Sequence, residues 1–194
     1  NGFGSGTAAA SAAAINFEFI SYFFIKAFCQ ATVTFTSQNY AMCQLDRCKK
    51  IFRESMACAI LLSGATCLVF TLGASFFAGL YTSDPEVIGH AVTRVSIVES
   101  TQWLSATYEI SGAALRGMGI SMLPAVVTLI GSCLLRIIWV YTVFPMFPTY
   151  EMLLTVYPVS WIITGAIMLT AYFLIRRKLF SERAEGGCCK PLEF

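Results

Sequence analysis

Charge is scarce in this sequence. Asp, Glu, Lys and Arg make up 12% of its 194 residues, against about 25% in a soluble domain. A water-soluble fold of this size could not hide a chain that is 57% hydrophobic. The bilayer is the solvent it fits. Histidine is almost missing, with His90 alone, and no two of the eight cysteines stand at CxxC spacing. No metal site is expected. Cys29, Cys58, Cys67 and Cys133 fall inside apolar runs, where a thiol behaves as a small hydrophobe. No phosphate-loop or dinucleotide glycine pattern occurs. Gly2, Gly4 and Gly6 form a GxGxG with no strand before it, which reads as a loop. No serine or cysteine nucleophile carries a recognisable base, so neither an enzyme nor a cofactor is expected. A net charge of +2 gives no reason to expect a nucleic-acid partner. No signal-peptide pattern is seen. Residue 1 is Asn, and the chain is expected to continue upstream.

What is present is a series of long apolar runs. A transmembrane helix needs about 20 mostly apolar residues. Five spans are predicted, near residues 7–37, 52–80, 86–114, 120–144 and 151–175, with a polar tail over 181–194. The third is the most polar. Ser83 or Asp84 suits its N-cap, with Pro85 at the first helical position. Pro124 falls in the first turn of the fourth, where proline is tolerated, and Pro158 should kink the fifth.

The basic residues alternate along the chain. Arg47, Lys49, Lys50 and Arg53 follow the first span, Arg116 the third, and Arg176, Arg177, Lys178, Arg183 and Lys190 the fifth. The connections at 81–85 and 145–150 hold no Lys or Arg. The positive-inside rule puts the basic connections and the C-terminus in the cytoplasm.

Ionisable residues inside a bilayer are costly and mark functional sites by default. Glu18, Lys26, Glu99, Glu109 and Arg136 are the candidates. Arg94 and Glu151 sit near predicted ends and can reach the interface, so they are set aside. Glu99, Gln102, Ala106, Glu109 and Ala113 recur at helical spacing on the third span and form one polar, small-residue stripe. That stripe should face a water-filled cavity or another helix, since lipid would not solvate it. Glu99, at mid-span, is the favoured carboxylate for binding a proton or a cation. The competing reading pairs Glu99 with Lys26 or Arg136 as a structural ion pair.

Two segments resemble a known family. Thr36-Ser37-Gln38-Asn39 with the basic stretch 46–50 resembles the Q-N-x-G-A loop of the multidrug and toxic compound extrusion (MATE) transporters. Gly112-Ala113-Ala114-Leu115-Arg116-Gly117-Met118-Gly119, with Pro124 soon after, resembles that family's G-x-x-L-R-G-x-G loop. Leu135-Arg136-Ile137-Ile138-Trp139 and Tyr157-Pro158-Val159-Ser160-Trp161 also look like the last two helices of bacterial members. Ala41-Met42 stands where the family has Gly-Ala, and Ser105 where some members carry an aspartate.

The resemblance implies an all-α polytopic membrane protein of twelve helices in two six-helix lobes. Residues 1–180 would supply five helices of the C-terminal lobe. The N-terminal lobe would lie upstream, and 181–194 would be a cytoplasmic tail. It further implies a secondary antiporter of the plasma (inner) membrane that exports small organic, often cationic, compounds in exchange for Na⁺ or H⁺. Glu18, Glu99, Gln102 and Glu109 are the expected coupling-ion or substrate residues. Gln38, Asn39, Arg116, Gly117 and Gly119 are expected to hold the loops. A lipid-linked saccharide flippase of the same superfamily and a non-transporting membrane subunit are the alternatives.

Overall fold

The computed structural model describes residues 4–185, and among these the chain is helical with no strand. The first helix, α1, spans Gly4–Ala41. It therefore takes in Gly4 and Gly6, expected as loop, while Gly2 lies outside the described residues. Its end is a short turn in which the amide of Gln44 donates to the carbonyl of Asn39 at 2.8 Å. Cys43 adopts the left-handed φ of 54° that closes the turn. Helix α2, Leu45–Leu72, starts at once. Arg47, Lys49, Lys50 and Arg53 thus occupy its first turns instead of a loop, with Asp46 against Lys49 at 2.7 Å. After Gly73 the short α3, Ala74–Gly79, completes the second expected span.

Helix α4, Pro85–Ile97, begins as expected. Asp84 is its N-cap, accepting from the Glu86 amide at 3.0 Å, with Pro85 behind it. A 3₁₀ stretch, Glu99–Leu104, then leads into α5, Ser105–Gly117. At the joints Val98, Leu104 and Ser105 all keep right-handed helical dihedrals. Residues 85–117 are therefore one helical path, long enough to cross the roughly 30 Å hydrocarbon core. They are also too polar to count as a span by composition. Among the described residues four helical stretches are both long and apolar enough: Ala10–Ala41, Leu45–Leu72, Met122–Met146 and Tyr150–Arg183.

The fourth span comprises α6, Met122–Leu129, a π-helical turn at Ile130–Leu134, and α7, Leu135–Thr142. The fifth comprises α8, Tyr150–Leu154, and α9, Val156–Glu185. Its break falls at Thr155, next to Leu154, whose carbonyl the Pro158 ring would otherwise strike. α9 extends past Arg176-Arg177-Lys178. The rest of the expected tail, 186–194, lies outside the described residues.

The packing is inverted relative to a soluble protein. Large apolar side chains such as Leu61, Leu68, Leu72, Leu129, Ile137 and Leu174 point outward, while Glu99, Gln102, Glu109, Ser111, Ser160 and Thr164 are buried. That arrangement suits lipid outside and a hydrogen-bonded interior. α5 is the axis of the bundle, and every residue of it but Thr107 and Arg116 is buried. Its small residues allow close approach. A Cβ added at Gly117 would lie 2.7 Å from the Thr36 Cβ on α1. Thr107 in turn fits against Gly165 of α9, where an added Cβ would come 2.2 Å from the threonine hydroxyl. Elsewhere α2 meets α9 through the stacked rings of Phe52 and Tyr172, 3.9 Å apart.

Candidate functional site: a polar ladder and the cavity beside it

The candidate residues meet where α1 lies along α4 and α5. The pairings ascend both elements together, from Glu18 with Arg94 to Gly117 with Thr36, so the two run parallel. At the first level Arg94 grips Glu18 bidentately, Nε to Oε1 at 2.6 Å and a terminal nitrogen to Oε2 at 3.0 Å. Both side chains are nearly buried, at 8% and 12% exposure. At the second level Ser21 donates to Oε1 of Glu99. Glu99 is fully buried, and its Oε2 has no hydrogen-bond partner among the described residues. At the third level Glu109 accepts from the Tyr22 hydroxyl at 2.6 Å and the Lys26 ammonium at 2.7 Å. The Cys29 thiol lies 3.9 Å from its other oxygen.

Two sequence-based expectations change here. Arg94, set aside as interfacial, is buried and ion-paired. Its signal was available, because Arg94 lies about two and a half turns into α4 and Glu18 about four turns into α1, so neither sits at an end of its helical path. The structural pair proposed for Glu99 also does not form. Lys26 holds Glu109, and Arg136 donates Nε to Ser160 at 3.3 Å. Glu99 is left without a cation among the described residues.

The stripe divides as well. Gln102 and Glu109 line a cavity of about 420 Å³, together with Glu18, Tyr22, Arg94, Arg136 and Tyr157. Glu99 instead turns toward α1 at Ser21. A 3₁₀ helix turns about 120° per residue against 100° in an α-helix. Six residues of it rotate Glu99 by about a third of a turn relative to Glu109. Tyr157, missed in the sequence, is a shared platform. The Arg94 and Arg136 guanidinium carbons lie 5.4 and 4.4 Å from its ring centre.

The loop motifs lie apart from the cavity. Gln38 is exposed, and the Asn39 side chain donates to the Phe35 carbonyl at 2.8 Å. After Arg116 the chain forms a Schellman motif. Ile120 donates to Leu115 at 2.9 Å and Gly119 to Arg116 at 3.0 Å, with Gly119 at φ +90°. Glycine is needed at 119 for its dihedral and at 117 for room. The cavity holds two carboxylates, two guanidiniums and aromatic rings, a set suited to recognising a charged amphipathic molecule. No group of three or more metal-ligating side chains occurs among the described residues.

Comparison with known proteins agrees with this architecture. The family model described as MatE matches residues 1–142. A crystal structure of a MATE protein in complex with MaL6 superimposes with a TM-score of 0.83 at 14% identity. The match covers 91% of this chain and 40% of the other, so the chain spans well under half of that protein's length. No curated protein matches.

Proposed function

This chain belongs to the MatE family, and from that premise we propose that it is part of a secondary active antiporter, exporting an organic compound in exchange for Na⁺ or H⁺. It takes the place of most of the C-terminal lobe of a twelve-helix transporter. The N-terminal lobe lies upstream, and a central cavity alternates between the two membrane faces. The alternating basic connections favour a plasma-membrane orientation with the C-terminus in the cytoplasm.

Glu99 carries the reading. A buried carboxylate with one oxygen unpartnered and no cation beside it is stabilised most directly by a proton or a bound cation. Glu18 and Glu109 already have Arg94 and Lys26 and need no ion from solution. The Glu99 partner Ser21 is one residue from Tyr22 on α1, and Tyr22 contacts both Glu109 and the cavity. Occupancy of Glu99 can therefore be felt at the cavity wall.

The full-length protein in proteoliposomes provides the test. Glu99→Gln should keep its folded yield and lose gradient-driven export by about tenfold or more. Glu109→Gln should chiefly lower folded yield. Normal ion-driven export by Glu99→Gln would sink Glu99 as the coupling group.

A further inference from the structure

We propose that the cavity recognises an organic oxyanion, a carboxylate or phosphate group on a small amphipathic molecule, through the guanidinium of Arg136. The proposal rests on the transporter reading above and departs from the cationic substrate that the family resemblance implies.

The charges around the cavity support it. Glu18 and Glu109 are the acids of the lining, and each is already bound by a basic side chain at 2.6 to 2.7 Å. A cationic substrate would have to displace Lys26 or Arg94 to reach them. Arg136 is the opposite case. It lines the same cavity, yet it has no carboxylate within ion-pair distance among the described residues. Its Nε is used by Ser160 and one face of its plane lies over Tyr157. Its two terminal nitrogens make no hydrogen bond among the described residues. A guanidinium held at one edge and backed by an aromatic ring is a preorganised fork for a planar anion.

The position is deep. Arg136 lies ten residues before Met146, at the end of its span, or roughly 15 Å at 1.5 Å per residue. The packing beneath keeps it there. The π-helical turn at Ile130–Leu134 precedes it. Gly131 within that turn lies so close to α9 that an added Cβ would sit 2.0 Å from the Thr164 hydroxyl. Tyr157 and Trp161 supply an aromatic wall beside the guanidinium, which fits the apolar body of an amphipathic anion.

Two probes with the same ring body and opposite charge, 1-naphthoate and 1-naphthylmethylammonium, test this by equilibrium dialysis against the purified full-length protein. The unaltered protein should bind the carboxylate about tenfold or more tighter than the ammonium. Arg136→Gln should abolish that preference, Arg136→Lys should keep part of it, and Arg136→Glu should reverse it. The proposal is overturned if the ammonium binds as tightly as the carboxylate, if neither binds, or if folded Arg136→Gln keeps the preference. Should Arg136→Gln fail to fold, the probe pair on the unaltered protein and Arg136→Lys still decide. Gradient-driven flux separates the two readings. Selective binding without driven flux removes the antiporter and leaves the oxyanion site. Driven flux without charge preference removes the oxyanion site alone.

Discussion

Residues 85–117 and 122–142 are both helical paths broken by a non-α segment, and they sit in opposite environments. The first buries almost all of α5 together with Glu99 and Glu109, and it is too polar to be counted as a span. The second buries only Pro124 and Gly131 and is among the most apolar stretches of the chain. The difference shows what hydropathy measures in a membrane protein. It reports how much lipid a helix touches, so a helix surrounded by other helices scores poorly for that very reason. The irregular segments do different work too. The 3₁₀ stretch turns a carboxylate from one neighbour to another. The π turn brings a backbone close against α9.

The largest effect should come from stripping the polar path of a charge partner. Arg94→Met leaves Glu18 buried and unpaired, and breaking a buried pair costs about 3–5 kcal/mol. Thermal unfolding of the full-length protein should show this, with Glu18→Gln added to Arg94→Met recovering much of it. A small loss in the single variant would mean that water reaches Glu18. Next comes the reverse operation on the apolar path. Ile137 is 55% exposed, and Ile137→Asp should oppose membrane insertion by about 2.5–3.5 kcal/mol in a translocon assay. Tolerance of that change would show that the α7 face meets protein or water. The smallest effect concerns fit. Gly117→Ala should cost about 1–3 kcal/mol through overpacking against Thr36. Leu134→Met on the lipid-facing side should stay within about 0.5 kcal/mol.

Local chemistry was readable from the sequence wherever it is settled by near neighbours. Asp84 and Pro85 mark the start of α4, Pro158 marks the break in the fifth span, and Gly119 marks the end of α5. The apolar runs, taken with the loop motifs, identified an all-α membrane fold. What the spacing could not supply was helical phase across an irregular segment. The stripe from Glu99 to Ala113 assumed a constant 100° per residue, and six 3₁₀ residues invalidate that assumption for Glu99. Pairing across 76 positions, as between Glu18 and Arg94, was also out of reach. It depends on which helices pack together and at what height. Cys48, which precedes the expected start of the second span at 52, is buried against the Thr36 carbonyl, because α2 begins at Leu45, seven residues earlier.

The parallel rungs between α1 and the α4–α5 path have a mechanical meaning. Sliding one element past the other by a helical turn, about 5.4 Å, would break the Glu18–Arg94, Ser21–Glu99 and Lys26–Glu109 links together. It would also carry Thr36 off the room left by Gly117. Shear along that seam is therefore stiff, and the two elements act as a single plate. Flexure belongs where fewer polar fasteners cross, at the joint between the outlying α6–α7 path and α9. There Gly131 packs against Thr164, and the Arg136–Ser160 and Trp139–Met152 hydrogen bonds are the links that such flexure would load.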